Sequence, residues 1–304
     1  MRSLLAWRWS ALLVWAVCAC ASAQPVTVCM AEENAPLSYA VKGEMRGLDV
    51  RVAQALAGEL KRELRIVPFE SKFEGETTLS QQVNALLSSG VCDIASGFAL
   101  MAGDLGPPGR PTARVPDHPD AKRMPQRAWV PLGTLVPSRA YHTMAMGLVV
   151  REEQRASATL AEAGDARIGI VSGTLSGTAV SMFRNGKLRS QLVSLSRNED
   201  PLEQLEAKRI DATLISLDRL DAWRLSHPET ALRRTPYLHP LRINIGFVAR
   251  SDAPEVLAAT SRVIDRALAS GDLARWSAES GSTWIAPADP QVGAPFNITD
   301  LMRE

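Results

Sequence analysis

The chain has 304 residues, with 34 Lys and Arg against 33 Asp and Glu, a formal net charge of +1, and 46% hydrophobic residues. Near-neutral charge argues against a polyanionic partner such as nucleic acid, which needs a basic patch. The length suits one large domain or two of about 140 residues.

The N-terminus has the layout of a secretory signal. Arg2 and Arg8 precede the apolar run Ala11–Val17, and Ala21-Ser22-Ala23 offers small residues at both recognition positions of a signal peptidase. The run is shorter than the roughly 20 residues a spanning helix needs. Residues 1–23 are therefore expected to be removed, with Gln24 as the mature start. The lost segment carries two arginines and no acid, so the formal charge becomes −1. A lipoprotein reading competes over Cys18 and Cys20, since Cys20 follows a small residue; lipidation would make a soluble protein an anchored one. The expectation is cleavage without lipid and a periplasmic location.

Two cysteines remain, Cys29 and Cys92. An even pair in an oxidising compartment suggests one disulfide; two buried free thiols are the alternative. His118, His142, His227 and His239 are scattered without ligand spacing, so neither a metal nor another cofactor is expected.

Along the mature chain, Val26-Thr27-Val28-Cys29 reads as a strand ending in the polar turn Glu32-Glu33-Asn34. Leu48, Val52, Ala55, Leu56 and Leu60 recur at helical spacing. Arg65–Phe69 is a second strand. Leu79, Val83, Leu86 and Leu87 form a helical stripe stopped by Gly90, and Val91–Gly97 is a third strand. The stretch 101–137 is rich in proline and glycine and predicts an extended surface insertion without regular elements. Tyr141–Arg151 is a long strand. A second alternating unit follows: strand Arg167–Val171, the turn Ser172–Gly177 opening a helix, a helix through Leu202 and Leu205, strand Ala212–Ile215, and a helix from Asp218 through Trp223. Strand Arg242–Val248 and a helix from Val256 to Leu273 complete the series. Strand–helix alternation with short connections implies α/β architecture, parallel strands covered by helices.

Five segments, in order, resemble the family 3 extracellular solute-binding proteins: Glu33–Tyr39 with Gly47–Val50, Leu86–Asp93, Arg167–Thr174, Leu205–Ala212, and Phe247–Trp276. The resemblance implies the two-lobed periplasmic-binding-protein fold (type 2), with two crossover strands near Tyr141–Gly147 and Leu241–Phe247. Lobe 1 would comprise 24–145 and the return 242–304, and lobe 2 residues 146–241. One continuous sheet, or a single crossing, would end this reading. The template also sets the strands bearing Cys29 and Cys92 side by side, with both cysteines near the carboxyl ends of those strands, which favours the bridge.

What the resemblance implies about the site is mixed. Amino-acid binders of this family use an arginine a few residues after the third strand, an acid five positions after the equivalent of Asp211, and a Gly-Thr turn at a helix N-terminus. Gly173-Thr174 is present, extended by Ser176, and reads as an anion cradle or as an ordinary N-cap. The arginine position falls in Met101–Asp104, which holds none; Arg110 or Arg114 are the nearest substitutes. Ser216 stands where the acid is expected, and Asp218, two residues on, is either its replacement or a helix cap. Asn34 and Leu37 replace usual aromatics, leaving Tyr39, Phe73 and Phe98 as stacking or core residues, while Ser96 and Gly97 end the third strand at the cleft.

These residues point to a non-enzymatic, monomeric protein that captures a small polar or anionic solute for an inner-membrane ABC permease or a sensor. Standard α-amino acids are not the expected ligands. Two alternatives stay open. Some relatives serve periplasmic quinoprotein dehydrogenases as accessory proteins and carry cysteines at similar places. Others are cyclohexadienyl dehydratases, for which Glu33 would be the general acid.

Overall fold

The computed structural model describes residues 24–70, 77–121, 127, 129–154 and 157–303. The leader with its expected cleavage site, Cys18, Cys20 and Phe73 lie outside these residues. Among the described residues no helix is long and apolar enough to cross a membrane.

In chain order the first half holds β1 (Val26–Ala31), β2 (Glu33–Asn34), β3 (Ser38–Val41), β4 (Glu44–Arg46), α1 (Leu48–Leu60), β5 (Leu64–Phe69), α2 (Leu79–Ser88), β6 (Ile94–Ala99), β7 (Thr112–Arg114) and β8 (Trp129–Pro131). The long strand β9 (Leu135–Arg151) then leads to β10 (Ile168–Val171), α3 (Leu175–Met182), β11 (Leu192–Leu195), α4 (Pro201–Glu206), β12 (Ala212–Ser216) and α5 (Leu217–Ser226). A second long strand, β13 (Leu232–Arg250), returns to α6 (Pro254–Ser270), α7 (Asp272–Glu279) and a short α8 (Ile298–Leu301).

Eight strands pair in the order β11-β10-β12-β9-β13-β6-β1-β5. The outer groups are parallel, as alternation predicts; β9 and β13 run antiparallel to each other and to their outer neighbours. Hydrogen bonding is therefore continuous, contrary to the expectation of separate sheets, because the two crossing strands pair with one another. The hydrophobic cores are what separate. Val26, Val28 and Met30 of β1 pack under α1 and α6. Cys29 and Phe69 pack with α2 on the opposite face. Beyond the crossing, Leu148, Ile168 and Leu214 pack with α3, and Val149 and Ile215 pack with Leu202 and Leu205 of α4. Inner strands buried on both faces are the signature of a parallel sheet with helices on both sides. Register shifts at Arg234/Leu238 and Leu238/Arg242 interrupt the β9–β13 ladder between the two sets of cores.

The strand directions position the site. β6 runs in the sense of β9, which leaves the first half, and β12 runs in the sense of β13, which leaves the second. The carboxyl ends of each half's strands therefore point toward the other half.

Three local expectations are corrected. The stretch 101–137 holds a paired hairpin, β7 with β8, because Ala113 and Val115 are buried against α2 and the first-half core. Cys29 and Cys92 are bridged, with Cα atoms 5.7 Å apart, but Cys92 precedes β6 and so lies at its amino end, beside the middle of β1. The turn Glu32–Asn34 is also partly strand, Glu33 and Asn34 pairing with Tyr39 and Ser38.

Candidate functional site

Each half offers a pocket at the carboxyl ends of its parallel strands, where open α/β sheets bind ligands. In the first half, Ala31, Phe69 and Ser96–Ala99 close three strand ends around a cavity of about 510 Å³ that also meets Glu33, Asn34, Thr78, Ser80 and Asp104. Thr78 caps α2 through a reciprocal box with Gln81, as the Thr-x-x-Gln spacing dictates. Ser80 donates to Asp104 Oδ1 at 2.6 Å. Among the described residues no lysine or arginine lines this cavity.

Gly97 is required in that wall. Its φ is +68°, and a Cβ there would lie 3.0 Å from Asn34 Nδ2 and 3.3 Å from Asp49 Oδ2. A side chain would meet both strain and a clash. Ser96 and Phe98 flank it, both buried. Tyr39 is half-buried on β3 and does not line the cavity.

Behind this wall sits a polar cluster that joins the halves. Tyr141 donates its hydroxyl to Asp49 Oδ1, and both side chains are fully buried. Burial pushes the Asp49 carboxyl up, against the Ser96 and Tyr141 hydroxyls, which favour its ionised form. Burial beside Asp49 also pushes the Tyr141 phenol well above its ordinary value. The neighbouring His142, 1% exposed, places Nε2 3.1 Å from Asp218 Oδ1. Asp218 is not the helix cap: Ser216 holds the N-cap position of α5, and Asp218 Oδ1 meets His142 of the crossing strand.

In the second half, Gly169–Thr174, Arg197, Thr213–Ser216 and Arg219 surround a cavity of about 600 Å³. Thr174 is the N-cap of α3, accepting from Gly177 N at 3.0 Å while donating to Val171 O at 2.7 Å. Its hydroxyl is therefore committed to the turn. The Leu175 and Ser176 N–H groups have no acceptor among the described residues. Ser176 lines the same cavity. An Arg197 Nη2 lies 3.6 Å from the Cβ position of Gly173, and Arg197 has no ion pair among the described residues. Arg219 is engaged with Asp200 at 2.9 Å.

The structure thus gathers Glu33, Asn34, Ser96, Gly97 and Phe98 in one pocket and Gly173, Thr174, Ser176 and Ser216 in the other. It does not bring Arg110 or Arg114 to either; Arg114 instead stacks over Trp129. Sequence reasoning missed Arg197, which stands two residues past the end of β11, where a loop after a parallel strand faces the cleft. It also missed His142, whose partner is 76 residues away, a pairing without local signal.

No family model and no curated protein sequence matches the chain. Among solved structures it is similar to the unliganded, open L-cystine solute receptor of Neisseria gonorrhoeae, with a TM-score of 0.60 and 18% identity over 86% of this chain and 95% of that one. The second substrate-binding domain of a putative amino acid ABC transporter from Streptococcus pneumoniae Canada MDR_19A gives 0.61 at 15% identity, over 84% and 100%. Substrate-binding domain 2 of GlnP from Lactococcus lactis, in its open conformation, gives 0.58 at 14% identity, over 84% and 95%. At these identities the likeness establishes the architecture, the two-lobed periplasmic-binding-protein fold.

Proposed function

We propose that the protein is an exported, non-enzymatic solute-binding protein that takes a small polar anion between two lobes and presents it to an ABC permease or a sensor. The lobes are 24–145 with the return from 242, and 146–241, which the end of the tail rejoins at Leu301; they hinge on β9 and β13. The observation that carries this reading is the convergence of strand ends: two pockets, one per half, each at carboxyl ends directed toward the other half. Closure about paired crossing strands would bury a solute between them. The three similar structures named above are described as a solute receptor and as substrate-binding domains, which supports the same role.

Charge sets the ligand's orientation. The only cations lining the two pockets, among the described residues, are Arg197 and Arg219, and Arg219 is already paired. An anionic group would sit on Arg197 and the free N–H groups of Leu175 and Ser176, where guanidinium and helix N-terminus act together. The rest of the solute, offering hydroxyl or amide donors, would meet Glu33, Asn34 and Asp104. A standard α-amino acid fits poorly, because the expected ammonium acceptor, Asp218, is held by His142. The accessory-protein alternative rests on Cys29, the Cys92-Asp93 pair and the altered amino-acid site; both cysteines are buried in the bridge, which offers no contact surface for them.

Calorimetry across small hydroxylated carboxylates and the standard amino acids tests the reading. The expected result is micromolar binding of a carboxylate and none of an amino acid. Arg197→Gln should weaken that binding about 10- to 100-fold, the usual worth of a hydrogen-bonded charge in a partly exposed site. Micromolar binding of an amino acid, indifferent to Arg197→Gln, would overturn the proposal.

A further inference from the structure

After α7 the chain does not stop on the first half. Residues 283–303 run back along the crossing strands, and Asn244 of β13 fastens them: its Nδ2 donates to Ala288 O at 2.7 Å and Gln291 O at 3.1 Å, while its Oδ1 accepts from Ala288 N at 3.3 Å. Leu100 O accepts from Gly293 N at 2.8 Å, and Ala102 N donates to Gly293 O at 2.9 Å. Leu301 ends the path in the second-half core. Between this tail and β13 lies a cavity of about 410 Å³ that shares no residue with either pocket described above.

The cavity is built around Arg242. Its Nη1 is buried and has no hydrogen-bond partner among the described residues, and desolvation lowers its pKa. The other charged groups in the wall are engaged elsewhere. Arg303 pairs with Asp300 at 3.0 Å, Asp300 also caps α8 through Asn297 N, and Asp289 accepts from Gln291. Met101, Pro240, Leu241 and Phe296 supply an apolar lining. A buried guanidinium nitrogen left without an acceptor is costly, and a planar guanidinium is matched best by a carboxylate.

We propose that Arg242 and the C-terminal tail form a second binding site, for a small carboxylate carrying an apolar body. The carboxylate lies on the Arg242 guanidinium, and its body lies against Pro240, Leu241 and Phe296. The volume is within the range of pockets that hold small organic ligands. This site is independent of the interlobe reading, since it uses neither Arg197 nor the α3 turn.

The test is calorimetry on the mature chain, residues 24–304, with hexanoate, benzoate, acetate and inorganic phosphate. Hexanoate or benzoate is expected to bind more tightly than acetate. Arg242→Gln should weaken that binding about 10-fold or more, as loss of a charge-assisted contact does. Phe296→Ala, at a partly exposed position, should weaken hexanoate and benzoate while leaving acetate unchanged, which separates a binding effect from misfolding. The loss of hexanoate and benzoate binding on Arg242→Gln should be the same in an Arg197→Gln background. Phosphate binding without carboxylate binding would overturn the ligand class. Carboxylate binding lost in Arg197→Gln but kept in Arg242→Gln would place the ligand between the lobes, and no binding by any probe would overturn the site itself.

Discussion

Asp211 ties together three segments of the second half. Arg167 donates to its Oδ2 from the backbone at 3.0 Å and from Nε at 2.9 Å, and Arg151 at the end of β9 reaches Oδ1 at 3.3 Å. These contacts, with the Arg167 side chain first, hold the carboxyl well below the usual carboxylate range. A group depressed in the folded state stabilises above its unfolded value, near 4, and loses that contribution as pH falls. Asp211→Asn is therefore expected to cost about 2 kcal/mol at pH 7, the worth of hydrogen bonds to a charged acceptor. The difference should shrink as pH drops below about 4. Urea melts of both proteins at pH 7 and pH 3 measure it; an equal difference at the two values would contradict the assignment. The sequence showed Asp211 as part of a family-like segment, but neither arginine partner was legible, because both reach it through sheet pairing.

At the scale of elements, the bridge between Cys29 and Cys92 fastens β1 to the segment entering β6. These strands already pair through Val28–Ile94 and Cys29–Ala95, so the disulfide acts chiefly on the unfolded chain. It closes a loop with a sequence separation of 63, for which chain entropy gives about 4 kcal/mol. Cys29→Ser with Cys92→Ser is expected to lower unfolding free energy by about 2–5 kcal/mol, measured by denaturant melts. A loss below 1 kcal/mol would mean that the strands constrain the unfolded chain without it. Cysteine parity and the compartment suggested this bridge, whereas its position at the amino end of β6 came only from the register. Strand lengths show the same division. The core of β13 was evident in Ile243, Ile245 and Phe247, yet the strand runs from Leu232 to Arg250, because it pairs with β9 across both halves.

On the scale of the whole molecule, the tail after α7 decides how the crossing strands are protected. Between its bridge to Gly106 at Leu135 and Met146, β9 pairs among the described residues only with β13, which leaves one edge open. The tail covers it: Thr143 N donates to Ile285 O at 3.0 Å, Ala140 N to Gln291 Oε1 at 3.1 Å, and Trp284 Nε1 to Tyr141 O at 2.9 Å. An uncovered strand edge invites pairing between molecules. Deleting residues 284–304 should lower the melting temperature and produce concentration-dependent association, followed by calorimetry and light scattering. An unchanged melting temperature and a monomeric product would show the tail to be an appendage.

Local pattern was sufficient for the order of the principal strands and helices, though not for β2–β4, β7, β8 or β11, and for the α/β class, the Gly173-Thr174 turn and the parity of the cysteines. Those properties are written in neighbouring residues, through periodicities of 2 and 3.6 and through turn and cap chemistry. Tertiary structure alone decided which distant groups meet. Asp49 and Tyr141 are 92 residues apart, His142 and Asp218 are 76 apart, and Arg242 faces a tail some 50 residues further on. The hairpin of β7 and β8 likewise forms where proline and glycine predicted none, since Ala113 and Val115 gain more from burial against α2 than the local sequence loses. Convergence of side chains depends on sheet order and on the direction of each crossing, and a local window of residues carries neither.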